Sequence, residues 1–399
     1  MDFPYGEVHR SVGVREYGSV KKVWKYGGME EFTPTLPYFS TLPYSHTPPT
    51  MSHGQMIKTQ VYTDIDYDKE GKQQGYLRVP YSRDSSGWGN LFIPITVIKN
   101  GRGPTALIVA GNHGDEFEGQ VCIMKLARSL RPEEVNGRII LIPALNFPAA
   151  KAGKRLSPVD GKNMNRSFPG ERQGTMTSLI AHYVTHFLLP ISDIILDLHS
   201  GGYSMQFIPC ALMHKVENPD QYKKMLEALL VFNAPIGFLM REVAGEGLLN
   251  EEAEKMGKIV IGTELAGSGQ VSPTALKIAE VGTRNVLIHF GLLNGEIITR
   301  ESQGLPPTRL VESPNREDYV MSPADGIYES FYELGTEVKK GQPIGQVHFL
   351  DRVDWEPEEV RAESDGLMIC RRGPGLVERG DCVAVMARDV KNSGPWIKE

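Results

Sequence analysis

Apolar residues fall along this chain in two rhythms. Thr105 to Ala110 (TALIVA) and Gly137 to Ala144 (GRIILIPA) are short, nearly unbroken runs, the pattern of strands buried on both faces. Between them, Phe117 to Leu130 sets Val121, Met124, Leu126 and Leu130 among charged residues at roughly helical spacing. Strand, helix and strand in this order predict a βαβ unit and hence a parallel sheet. Asp193 to Leu198 (DIILDL) and Lys258 to Gly262 (KIVIG) repeat the buried-strand pattern. A helix is predicted over about 175–189, and Ser272-Pro273 opens another, with serine as N-cap and proline in the first helical position. Upstream, Gln74 to Pro80 and Asn90 to Ile98 are rich in β-branched and aromatic residues and predict strands joined by a loop, Ser82 to Gly89. The expected fold class is α/β, a mixed and largely parallel sheet flanked by helices.

The two ends of the chain differ from this middle. Residues 1–52 are rich in proline and aromatics without period, which forbids a long helix and predicts an extended arm packed on its own or a neighbouring subunit. From about 306 onward, Val320 to Tyr328, Gly335 to Gly345 and Val360 to Gly366 are short strands broken by Asp-Gly and Lys-Gly turns, a small all-β domain. Its spacing resembles biotinyl/lipoyl-type barrel-sandwich domains, but the turn Ser364-Asp365-Gly366 has no lysine at its tip. A carrier role is therefore not expected; a structural or oligomer-forming role is. The expected divisions are an arm over 1–52, a catalytic domain over 53–305 and a β-rich domain over 306–399.

Composition narrows the function classes. A formal charge of −6 over 399 residues argues against nucleic acid held by bulk charge. No apolar run approaches the roughly 20 residues of a membrane span, and the opening MDFPYGEVHR lacks the basic and apolar regions of a signal peptide, so a cytoplasmic location is expected. Four scattered cysteines make no CxxC pair; Cys122 and Cys210, in apolar stretches, read as buried thiols.

Candidate chemistry lies at the strand ends. Gly111-Asn112-His113-Gly114-Asp115-Glu116 joins the strand over 105–110 to the helix, where open α/β sheets place their ligands. His113 and Glu116 can converge on one ion; the plainer reading is a polar turn in which Asn112 or Asp115 caps the helix. His199 closes another strand and supplies a third ligand, although a core histidine satisfying a neighbour would look the same. Asp197, two residues earlier on the same face, can hold its other ring nitrogen. Two histidines and a glutamate form a catalytic zinc set with an open position. Glu264, at the end of a further strand, is the best-placed general base. In the long loop 146–174, Asn165 and Arg166 suit carboxylate recognition and Arg155 could polarise a carbonyl, with surface charge as the alternative for both arginines.

HGDE at 113–116, NMNRSFPG at 163–170, DLHSGG at 197–202 and GTELAG at 262–267 follow one another in an order that resembles the succinylglutamate desuccinylase/aspartoacylase family, zinc hydrolases related to metallocarboxypeptidases. The resemblance covers about residues 74–388. It implies one Zn2+ per chain on His113, Glu116 and His199, Glu264 as base, Asn165 and Arg166 on the substrate carboxylate, and Arg155 on the carbonyl. The stretches 75–101 and 154–170 resemble the ectoine-degradation branch of that family, which implies deacylation of an N-acetyl-diaminobutyrate-type amino acid by a homo-oligomeric enzyme. The alternatives are an N-succinyl- or N-acetyl-aspartate-type acylase, a carboxypeptidase-like peptidase, or a metal-free binding protein on the same fold.

Overall fold

The computed structural model describes residues 58–240 and 246–390, together with the backbone of two short strands, Met51–Ser52 and Gln55–Met56. The rest of the arm expected over 1–52 lies outside the described residues. At the centre is a mixed sheet. Its main strands are β1 (Gly71–Arg83), β2 (Ser86–Asn100), β3 (Thr105–Ala110), β4 (Gly137–Ile142), β5 (Ile194–His199), β6 (Cys210–His214), β7 (Ile236–Met240), β8 (Ile259–Glu264) and β9 (Arg309–Glu312). They lie in the order β9-β7-β6-β8-β5-β3-β4-β2-β1.

The βαβ unit is present: β3 and β4 are parallel, with Thr105 opposite Arg138, and α1 (Phe117–Ser129) joins them. β3 also runs parallel to β5, and β5 to β8. All six side chains of β3 and of β5 are buried, which is why their sequences show no alternation. The hydrophobic cluster they anchor includes Leu107, Ile108, Ile140, Ile195 and Ile261. The helix expected over 175–189 is an α-helix, α2 (Met176–Tyr183), that continues as a π-helical turn, Val184–Leu188. Proline and serine open the next helix of interest, α5 (Pro273–His289), after α3 (Pro219–Phe232) and α4 (Leu249–Lys255); the Ser272 hydroxyl accepts from the Ala275 N–H at 3.3 Å.

Two boundaries differ from expectation. The strand expected to reach Ala144 ends at Ile142, because Pro143 has no N–H to continue the ladder. The loop expected over 82–89 is mostly strand. β1 and β2 form one long hairpin whose pairing runs to Arg83 opposite Ser86, leaving Asp84 and Ser85 as the turn. Trp88 near its tip is 99% exposed, so backbone hydrogen bonds carry this extension and burial does not.

The C-terminal residues are β-rich, as expected. Val320, Tyr328, Ile344, Val347, Met368 and Met386 gather into a hydrophobic cluster of their own. These strands are nonetheless joined to the earlier part of the chain twice. Cys382–Asp389 pairs with β9, which itself pairs with β7, and Gly366–Arg372 pairs with Met205–Phe207. Hydrogen bonding is therefore continuous across residue 306.

Parallel register sets the functional edge. Ala110 lies opposite Leu198 and His199 opposite Glu264, so the turn after β3, the end of β5 and the end of β8 reach one edge together. Ile108, wholly buried in β3, holds that alignment by packing. Ile108→Ala is expected to cost about 2–5 kcal/mol, the range for deleting a buried large aliphatic side chain. Chemical denaturation should read this as a lower midpoint; an unchanged midpoint would place Ile108 outside the core.

Candidate metal centre and substrate cleft

The turn from Gly111 to Glu116 is fixed by close approach. A Cβ at Gly114 would lie 1.9 Å from the Ala149 carbonyl carbon, so only glycine fits. Asp115 does not cap α1: the cap residue is Glu116, with no side-chain cap bond. Asp115 Oδ2 instead accepts the Tyr203 N–H at 2.8 Å, beside Gly202, whose φ of 57° and contact with that carboxylate exclude a side chain. This ties the turn after β3 to the loop after β5.

The tie brings His113, Glu116 and His199 together, all buried. One Glu116 oxygen lies 2.6 Å from His113 Nδ1 and the other 2.7 Å from His199 Nδ1, and the Ser200 N–H reaches the second oxygen at 3.2 Å. Both outer ring nitrogens are engaged. His113 Nε2 is 3.0 Å from Asn163 Oδ1, and His199 Nε2 is 2.9 Å from Asp197 Oδ2. Asn163 Oδ1 also accepts the Asn165 N–H at 2.9 Å, which assigns that atom as oxygen and places the His113 proton on Nε2. The same logic puts a proton on His199 Nε2. Two neutral rings would then turn bare Nδ1 lone pairs toward a carboxylate, acceptors facing acceptors, an arrangement that favours positive charge among them, whether a ring proton, the Arg155 guanidinium or a cation.

Electrostatics agree. Burial works to raise the Glu116 carboxyl, but His113 and His199 outweigh it and hold it well below the usual range. Burial works to lower His199, but Asp197 and Glu116 outweigh it and push it well up. Both shifts mark a point that favours positive charge. The ligand atoms of the three residues lie within 4.8 Å of one another, and among the described residues they form the one such group. Two imidazoles and a carboxylate are a donor set that zinc accepts, so the residues fit a metal.

Around this centre is a cleft of about 990 Å³ lined by Arg155, Asn165, Arg166 and Glu264 as well as the three candidate ligands. Arg155 Nη1 lies 3.2 Å from His113 Nδ1 and 3.5 Å from the nearer Glu116 oxygen. Asn165 Oδ1 accepts the Leu249 N–H at 3.1 Å, which orients the amide and leaves its NH2 for a ligand. The exposed Arg166 donates to the Asn165 carbonyl at 2.5 Å. Partial desolvation by the cleft walls and the neighbouring Arg155 charge lower its proton affinity. Glu264 keeps one carboxyl oxygen buried and without a partner among the described residues. Burial and the Glu116 charge push its pKa up to about 8.

Sequence reasoning missed two contributions. Asn163 had a signal, since it precedes Asn165 in the same motif. The C-terminal wall had none: Tyr319, Glu363, Arg372 and Asp381 line the cleft through long-range pairings, Gly366–Arg372 with a strand some 165 residues earlier and Cys382–Asp389 with β9.

Residues 102–290 match the succinylglutamate desuccinylase/aspartoacylase catalytic domain. An N-alpha-acetyl-L-2,4-diaminobutyric acid deacetylase of Halomonas elongata is 42% identical over 341 residues, 86% of this chain and 98% of the relative. The chain belongs to the succinylglutamate desuccinylase/aspartoacylase family. Solved members of similar shape include the product-bound ectoine utilization protein EutE (DoeB) from Ruegeria pomeroyi, with TM-score 0.80, 43% identity, and 83% of this chain and 99% of that one covered. A succinylglutamate desuccinylase/aspartoacylase from Rhodobacter sphaeroides gives TM-score 0.79, 42% identity, and coverage of 83% and 100%. Among the described residues no helix is long and apolar enough to cross a membrane.

The raised Glu264 pKa has a consequence for stability in metal-stripped protein. The unfolded carboxyl loses its proton near 4.5 and the folded one near 8, so between these values the folded state holds the extra proton. Stability from this group is present below 4.5 and lost as the pH rises to about 8. Melting curves of the wild type and Glu264→Gln should therefore diverge across that window, with the wild type falling relative to the variant. Parallel curves would mean that Glu264 ionises normally.

Proposed function

We propose that this chain is a zinc-dependent amidohydrolase that removes the acetyl group from an N-acetyl-diaminobutyrate-type amino acid. The observation that carries the reading is the meeting of two imidazole nitrogens and a carboxylate within 4.8 Å, in the cleft that also holds Glu264. The name of the Halomonas relative supports the substrate class. Zinc, when held by His113, Glu116 and His199, supplies a Lewis acid that makes water nucleophilic at neutral pH.

The chain's own groups do the rest. Arg166 and the Asn165 NH2 hold the substrate carboxylate, a charge-assisted contact for which a planar guanidinium is suited. That anchor presents the amide carbon toward Glu264. The Glu264 carboxylate, the form that a cation held beside it would favour, takes a proton from the attacking water as the C–O bond forms, and Arg155 donates to the oxygen that gains charge. Glu264 then passes the proton to the amide nitrogen as the C–N bond breaks, leaving the free amine and acetic acid, which loses its remaining proton to solvent to become acetate. Asp197 and Asn163 keep the two imidazoles in place throughout.

The same reading takes residues 1–52 as an arm, 53–305 as the zinc carboxypeptidase-like catalytic domain and 306–399 as a barrel-sandwich-like domain, in a cytoplasmic homo-oligomer. The separate C-terminal hydrophobic cluster supports the last division.

Incubation with a panel of N-acyl amino acids, followed by mass spectrometry of the released amines, tests the proposal. N-acetyl-2,4-diaminobutyrate should be cleaved and a chelator should abolish turnover. Glu264→Gln should retain zinc but lose at least the roughly 10²-fold typical of general acid–base catalysis. Turnover that survives both treatments, or a panel with no cleaved member, would overturn it.

A further inference from the structure

Asn112 stands where a helix cap is expected but does not cap α1. Its surroundings suggest another task. Asp197 is wholly buried, and a buried carboxylate needs donors on both oxygens. One oxygen receives His199 Nε2 at 2.9 Å; the other receives Asn112 Nδ2 at 2.8 Å. Asn112, 1% exposed, also brings Nδ2 to 3.4 Å from His199 Nε2, so amide and imidazole crowd the same carboxylate from two sides.

The contrast with the other ring makes this pointed. His113 is held by a neutral amide oxygen, Asn163 Oδ1, and needs no further control. His199 is held by a full charge. A carboxylate gripped through one oxygen can turn about its Cβ–Cγ bond, and the imidazole bonded to it turns with it. Gripped through both oxygens, it cannot.

We propose that Asn112 is a positioning residue: it locks the Asp197 carboxylate so that His199 Nδ1 is presented to the metal. Asn112 touches neither metal nor substrate and acts through Asp197 alone. The inference rests on the zinc reading above, and it specifies a residue of the turn from Gly111 to Glu116 that serves the histidine of a different strand.

The test uses the full chain, with zinc affinity measured by chelator competition and folding followed by thermal melts of the metal-free protein. Asn112→Asp keeps the size but replaces the donor with an acceptor. Its zinc dissociation constant is expected to rise about 10–100-fold, the range for partners of ligating residues. The exchange N112D/D197N restores both hydrogen bonds with roles reversed. The amide then at 197 accepts from His199 Nε2 and donates to the carboxylate at 112. It should recover most of the lost affinity, the coupling expected of direct partners. A merely structural role would not give that recovery, because the exchange leaves composition and volume unchanged.

An affinity in Asn112→Asp within twofold of wild type would overturn the proposal. So would an exchange no tighter than the single variant, or one unable to fold. Wild-type protein that fails to bind zinc would instead count against the zinc reading itself, a result visible before any variant is made.

Discussion

Three hydrogen-bond acceptors are held within reach of one another in a buried pocket, and the arrangement is tolerable only around positive charge. The outer nitrogens of His113 and His199 are both committed to oxygen acceptors, so in the neutral rings the inner nitrogens face Glu116 as lone pairs. The fold supplies what that convergence needs. Parallel pairing of β3, β5 and β8 brings the three strand ends to one level, and Asp115 clamps the first loop to the second. The core beneath is apolar and tightly packed, which keeps those ends from shifting.

The same hydrogen bonds connect the centre to the groups expected to hold substrate. Asn163 Oδ1 accepts from both His113 Nε2 and the Asn165 backbone. Asn165 in turn accepts from the start of α4, and the Phe168 N–H donates to the Gly247 carbonyl. His113, Asn165 and α4 therefore form one connected frame. A loop that would be costly to order by itself is held by its bonds to the site it serves, which is the preorganisation catalysis requires.

Much of this was legible in sequence. Buried strands announce themselves by lacking polar positions, and His113, Glu116, His199 and Glu264 could be placed at strand ends because each follows such a run. Asp197 was readable from strand alternation alone. Tertiary pairing was not readable. Nothing local in Tyr319 or Arg372 marks them as walls of a cleft whose other side lies far upstream, because their position depends on pairing between distant strands. Asn112 illustrates a different limit. Next to a helix start, asparagine has a well-known local task, and only the spatial approach of Asp197 reveals that its amide is used elsewhere. The hairpin tip escaped for a third reason: its strands are extended by backbone bonds, which leave no hydrophobic pattern.

The most direct test of the central claim is X-ray absorption at the zinc edge of the zinc-loaded chain. The account predicts one zinc per chain with only nitrogen and oxygen neighbours at about 2.0–2.2 Å, and the outer-shell scattering of two imidazoles. Sulfur at about 2.3 Å, or the scattering of fewer than two imidazoles, would contradict it.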